Sequence, residues 1–215
     1  MDFWEYLGSR HHQLLTDAGQ HAAAVLQCMV LATLLGVLVG VAAYRSQWAG
    51  DLATTATSTL LTVPSLAMIG LLVPVVGLGV PPTVIALTLY GLLPIVRNAI
   101  VGLRGVDPAL VDAARGIGMS GPMRLLRVEL PLAWPPILTG IRVSTQMLTG
   151  IAAIAAYASG PGLGNEIFRG LASLGSRNAL NQVLAGTLGI IVLALLFDAA
   201  YVLIGRLTIP RGIRV

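Results

Sequence analysis

DPALVDAARGIGMSGPMRLLRVELP, residues 107–131, is the longest charged stretch of the chain, and an apolar segment of membrane length flanks it on each side. A charged stretch between two such segments faces water, so its reading decides the class of fold: a chain that repeatedly enters and leaves a bilayer. Asp107 and Pro108 predict a helix start, an N-cap carboxylate followed by a proline at the first helical position, where the missing N–H costs nothing. Leu110, Ala113, Ala114 and Ile117 recur at i, i+3, i+4 and i+7 and give that helix one narrow apolar face. Gly116 and Gly118 end it. Ser120, Gly121 and Pro122 restart a second helix with Met123, Leu126 and Leu130 on one face, which Pro131 is expected to stop. Two short helices joined by a glycine elbow make a docking surface.

Composition points the same way. Of 215 residues, 56% are hydrophobic and only 10% charged, which belongs to an all-α integral membrane protein rather than to a soluble domain. The formal charge of +4 comes from arginine alone, since the chain has no lysine. Without lysine there is no Walker A loop and no Schiff-base chemistry, and the arginines are too scattered for a nucleic-acid partner. The single Cys28 cannot form an internal disulfide and sits in an apolar run as a packing residue. His11, His12 and His21 lack a cysteine partner or zinc-ligand spacing, so no metal site is expected and they read as solvated or interfacial. No Ser/His/Asp set and no carboxylate pair at hydrolase spacing is present, so the chain is not expected to be an enzyme.

Residues 1–21 are polar, mildly acidic and without the basic start of a secretory signal, and are expected to form an extracytoplasmic N-terminal segment. Residues 22–206 form the transmembrane domain and residues 207–215 a basic cytoplasmic tail carrying Arg211 and Arg214. About five spans are expected, each long enough for roughly 30 Å of hydrocarbon at about 1.5 Å per residue. They cover residues 22–44, 52–77, 83–103, 135–157 and 183–204. The second is interrupted at Pro64 and carries Thr54, Thr55, Thr57, Ser58, Thr59 and Thr62, so it reads as one kinked span. Its hydroxyls either line a translocation path or serve interhelical packing. Trp4, Trp48 and the Tyr44–Arg45 pair are placed as interface anchors.

Five spans put the termini on opposite sides. Arg45, Arg104, Arg115, Arg124, Arg127, Arg206, Arg211 and Arg214 fall on one side and Arg10, Arg169 and Arg177 on the other. The positive-inside rule then places the N-terminus outside and residues 107–131, with the C-terminus, in the cytoplasm. Arg97, Arg142 and Asp198 fall inside spans, all about 10 to 12 Å from that boundary. Charges at that depth need partners, so Asp198 is expected to pair with Arg97 or Arg142, as a cytoplasmic gate or as a static structural pair. Gly160, Gly162 and Gly164 mark a sharp outer turn. After them Ile167, Leu171 and Leu174 predict a short interfacial helix with Glu166, Arg169 and Arg177 exposed. Such a helix either receives a soluble binding protein or merely rests on the membrane.

The central stretch also carries a resemblance. Asp112, Ala113 and Ala114, three residues, Gly118, nine residues, then Val128, Glu129, Leu130 and Pro131 resemble the EAA loop of ABC importer permeases, E-A-A-x3-G-x9-I-x-L-P, with Asp for Glu and Val for Ile. The resemblance implies a type I importer permease in which Asp112, Ala113, Ala114, Gly118, Glu129, Leu130 and Pro131 couple to a separate ATP-binding subunit, present in two copies. ATP and Mg would be bound by that partner, and no cofactor by this chain. YGLLPIVRN (residues 90–98), DAARGIGMS (112–120), VELPLAWPPILTGIR (128–142) and GPGLG (160–164) are similar to the osmoprotectant branch, which carries glycine betaine, choline, carnitine or proline. That branch implies a second permease subunit, identical or homologous, and a separate extracytoplasmic substrate-binding protein. A methionine-type amino-acid permease is the alternative within the class. An ATP-independent secondary transporter or channel using Asp198 is the alternative outside it.

Overall fold

A computed structural model describes residues 2–209, and among them all regular structure is helical. Nine α-helices run in the order α1 (Phe3–Ala43), α2 (Gln47–Thr62), α3 (Ser65–Val76), α4 (Val80–Arg104), α5 (Pro108–Gly116), α6 (Gly121–Arg124), α7 (Leu130–Ile151), α8 (Gly164–Ala172) and α9 (Ala179–Thr208). A π-helical segment, Leu125–Glu129, joins α6 to α7, and a 3-10 segment, Ala152–Ala158, closes α7. The expected tail arginines Arg211 and Arg214 lie outside the described residues.

Four helical runs are long and apolar enough to cross a membrane: Phe3–Ala43, Val80–Arg104, Gly121–Ala158 and Ala179–Thr208. The second expected span is not one kinked helix. It breaks into α2 and α3, bent by 91° at residues 63–64, because Pro64 offers no N–H and biases Val63 to the extended backbone it adopts. The carbonyl of Val63 is not left bare, since the buried Tyr90 hydroxyl donates to it at 2.7 Å. At one end of the bundle α2 starts beside Arg104, whose guanidinium donates to the Ser46 carbonyl at 3.0 Å. At the other, the Gly79 N–H that follows α3 donates to Ala158 O at 2.8 Å. The bent pair therefore carries the chain from end to end and acts as a fifth crossing.

The core is a three-helix stack of α1, α4 and α7. Small residues on facing stripes let the backbones close: a Cβ on Gly40 would lie 2.5 Å from the Ala99 Cβ, and one on Gly140 would lie 2.6 Å from the Pro94 carbonyl. Val25, Cys28, Ala32, Leu87, Ile95, Ala99, Ala133 and Leu148 fill the seam with no exposed surface. Cys28 is the buried packing residue its position predicts. By contrast α9 packs along the side of this stack, with most of its length exposed from the single chain.

Several boundaries differ from expectation. The first helix starts at Phe3, not near residue 22, capped by the Asp2 carboxylate accepting from Glu5 N at 2.8 Å. A polar run without proline costs little in helix, and Tyr6, Asp17 and His21 are buried against the bundle. His21 is thus neither solvated nor interfacial. Pro131 does not stop the second elbow helix either. Leu130 N bonds five residues back to Leu125 O, and this wider π turn gives the proline ring room that an α turn denies it. The run continues through Pro135 and Pro136. Finally, α9 extends four residues beyond the expected span at each end.

Candidate functional site

At one end of the bundle the elbow is built as its residues dictate. Asp107 accepts from Ala109 N at 2.8 Å, α5 ends at Gly116, and Gly118 takes φ +81°, a left-handed backbone that favours glycine. The elbow's apolar face is only partly covered. Ala114 is buried, while Leu110, Ile117, Met123 and Leu126 are exposed, Ile117 by 76%. Asp112 and Ala113 also face outward, Asp112 bridged along the helix to Arg115 at 3.0 Å. An apolar residue this exposed, beside a charged pair on a helix with both ends capped, has the make-up of protein-contact surfaces in general.

Glu129, Leu130 and Pro131 sit differently. Pro131 is exposed and Leu130 half-buried, but Glu129 is buried and bound from three sides. Arg124 Nε donates to its Oε1 at 2.6 Å, Tyr44 Oη donates to its Oε2 at 2.5 Å, and Arg45 lies at 3.9 Å. Arg45 Nε in turn donates to Tyr44 Oη at 2.7 Å, and Arg104 donates to the carbonyls of Tyr44 and Ser46. Glu129 therefore anchors the elbow to the α1–α2 turn. Tyr44 escapes sequence reading as a partner of Glu129 because the two lie 85 residues apart in the chain.

Within the bundle, Asp198 meets Arg142 rather than Arg97. Arg142 Nε and Nη2 donate to Oδ1 and Oδ2, both at 2.7 Å, a two-pronged geometry that fixes both side chains. Gln146 Nε2 adds a third donor, at 3.3 Å to Oδ1 and 3.0 Å to the Ala194 carbonyl. Both members of the pair keep about two-fifths of their side-chain surface, 43% and 35%, open. Arg142 borders a cleft of about 440 Å³ between α7 and α9, also walled by Pro135, Thr139, Tyr201 and Gly205. Arg97 is exposed elsewhere on α4.

At the opposite end, Gly160, Gly162 and Gly164 form a turn pressed onto three elements. A Cβ on Gly160 would lie 2.8 Å from Thr83 Oγ1, one on Gly162 2.7 Å from His21 Nδ1, and one on Gly164 2.0 Å from the Ala153 carbonyl. Asn165 pins the turn by donating to the carbonyls of Gly160 and Gly162. The next residue overturns the expectation of an exposed Glu166. It is fully buried, accepting from Tyr6 Oη at 2.8 Å, from Arg10 at 3.5 Å and from Arg169. The physical reason is the helical start of α1, which lies over α8 and brings Tyr6 and Arg10 to it. Arg169 and Arg177 are exposed as expected.

On the second expected span, Thr54, Thr57, Ser58, Thr59 and Thr62 all donate to carbonyls of their own helix three or four residues back. Asp51, Thr55, Thr59 and Thr62 form an exposed polar stripe along it.

The described residues form an all-α bundle of helices long and apolar enough to cross a membrane, with an exposed elbow at one end and a charged pair beside a cleft: a multi-pass membrane protein. The chain belongs to the family of binding-protein-dependent transport system inner membrane components, whose sequence profile matches residues 32–209. It is 34% identical over 209 residues to the glycine betaine/carnitine/choline transport system permease of Bacillus subtilis, covering 97% of this chain and 94% of that one. It is 38% identical over 215 residues to an osmoprotectant import permease of Salmonella typhimurium, covering 94% and 98%. Its fold matches a chain of an inward-facing methionine ABC transporter with a TM-score of 0.80 at 18% identity, over 93% of this chain and 98% of that one. The chain is therefore the transmembrane permease subunit of an ABC importer, a non-catalytic member of a multi-subunit transporter.

Proposed function

We propose that this permease imports a small osmoprotectant of the quaternary-amine class, such as glycine betaine, carnitine or choline, across the cell membrane at the expense of ATP hydrolysed by a separate subunit. The observation that carries the reading is end-to-end likeness, at 34–38% identity, to permeases named for those solutes. In this reading the N-terminus lies outside and the elbow and C-terminus are cytoplasmic. Two ATP-binding subunits dock on the elbow through Asp112, Ala113 and the Ile117 knob. A second permease subunit, identical or homologous, completes the pathway, and a soluble binding protein delivers the solute to the outer turn.

Alternating access then has a physical basis. Closure of the ATPases pushes a capped helix, α5, that is joined through the glycine elbow to the α6–α7 run. The Arg142–Asp198 pair beside its cleft serves as a cytoplasmic gate, because a two-pronged pair can open only by giving up both charged hydrogen bonds together. The hydroxyl stripe of α2 lines the path, where Asp51 and the threonines meet water instead of lipid. Asp198 already accepts three donors, a poor state for a proton or ion carrier, so ATP-independent transport is disfavoured.

Uptake by proteoliposomes containing the permease, its ATP-binding subunits and its binding protein tests the reading. Radiolabelled glycine betaine, choline or carnitine should accumulate with ATP and be unaffected by proton uncouplers, and Ile117→Glu should abolish the ATP response. Accumulation of methionine alone, or uptake without nucleotide, would overturn it.

A further inference from the structure

Both ends of α1 are held by the same device. At its start, Glu166 from α8 is buried, with Tyr6 on Oε2 and Arg10 and Arg169 on Oε1. Just past its end, Glu129 from the elbow is buried, with Tyr44 on Oε2 and Arg124 and Arg45 on Oε1. In each case a phenol takes one carboxylate oxygen and two arginines the other. A buried carboxylate so bound cannot slip to another partner without exposing an unpaired charge, so both attachments are stiff.

What lies between them is also stiff. Helix α1 runs 41 residues without a proline, about 60 Å at about 1.5 Å per residue. Another physical link between the same two ends, and the one continuous with the elbow, is the α7 run. It contains a π segment at the elbow, three prolines at 131, 135 and 136, and a 3-10 segment at the far end, so it lacks several of the hydrogen bonds that resist bending.

We infer that α1 is a strut that carries elbow motion to α8 at the opposite face, and that Tyr6, Glu166, Tyr44 and Glu129 are positioning residues fastening its ends. The inference rests on the reading of the elbow as the ATPase dock, and it adds the route by which nucleotide state reaches the surface offered to the binding protein. Without the fastenings the ATPases still close, but α8 no longer follows.

The test uses the assembled importer with its ATP-binding subunits. Leu171 on α8 is 47% exposed, and the chain's only native thiol, Cys28, is fully buried, so Leu171→Cys supplies one accessible thiol. Its labelling rate by a membrane-impermeant maleimide is compared between the nucleotide-free and ATP–vanadate states. With the fastenings intact the rate should differ about fivefold or more. Glu166→Gln, and the milder Tyr6→Phe, should remove that difference while the ATPase rate stays unchanged. Glu166→Gln leaves two arginines without their carboxylate and lowers the melting temperature, whereas Tyr6→Phe lowers it only slightly, so loss of the difference in Tyr6→Phe is a separation that a merely structural role would not produce. Glu129→Gln and Tyr44→Phe should remove it as well. A difference that survives both outer variants, or is missing from the intact importer while its ATPases turn over, overturns the strut and leaves the elbow's role standing. Failure of the ATP-binding subunits to assemble on the permease overturns both.

Discussion

Asp198 and Arg142 face each other across α7 and α9 with both charged hydrogen bonds at 2.7 Å, and the sequence already required each to find a partner at its depth in the membrane. It could not say which arginine, because Arg97 and Arg142 fall at the same height on different helices. Only the packing of α7 on α9 decides it. If the pair is a gate, Asp198→Asn should lower ATP-driven uptake on the order of tenfold, since one of two charged bonds is lost and Arg142 is left unbalanced. Exchange of the two charges in Arg142→Asp/Asp198→Arg should restore most of it. Uptake and ATPase coupling untouched in the single variant would reduce the pair to packing. Gly164 makes a purely steric prediction. A methyl group there would lie 2.0 Å from a backbone oxygen, and backbone cannot swing aside as a side chain can. Gly164→Ala should cost about 3 kcal/mol or more, visible as a large fall in melting temperature and yield.

At the level of elements, the capped and glycine-punctuated segments were the readable ones. Asp107 with Pro108, the Gly116 end of α5 and the restart at Gly121 appear as their local chemistry dictates, because each rests on contacts within a few residues. Proline misled in both directions. Pro131 was expected to end a helix and instead sits behind a π turn that absorbs it, while Pro64 was expected to kink a span and instead breaks it by 91°. The difference lies in which neighbours satisfy the freed backbone groups, and that is tertiary information. Tyr90→Phe measures one such neighbour: it strips the Val63 carbonyl of its partner in a partly buried site. The variant should lose about 1–3 kcal/mol of stability, read as a lower unfolding midpoint in detergent or lipid. The helical start of α1 is not legible in the sequence because its polar residues carry no apolar periodicity. The partner of Tyr6 and Arg10, Glu166, lies more than 150 residues away.

For the whole molecule, the arginine distribution and the bundle's two ends together make orientation testable. Ile117 and Leu174 are both 76% exposed and belong to opposite ends. In sealed right-side-out vesicles an impermeant maleimide should label Leu174→Cys at once and Ile117→Cys only after the membrane is opened. The reverse pattern would invert the topology and remove the elbow from any cytoplasmic engine. The fold class and family were legible because hydropathy and the fixed spacing around Asp112, Gly118 and Pro131 are linear features. The buried carboxylates were not, because nothing local distinguishes Glu129 or Glu166 from a solvated glutamate.

The contact between Tyr90 and Val63 also has a bearing on biosynthesis. Its two members are 27 residues apart, and the ribosome delivers the tyrosine well after the bend it completes. The middle of the polypeptide must therefore wait, half-made, at the insertion machinery until its successor arrives. Nascent chains halted before residue 90 should be conspicuously sensitive to quality-control proteases, and those halted after residue 104 much less so.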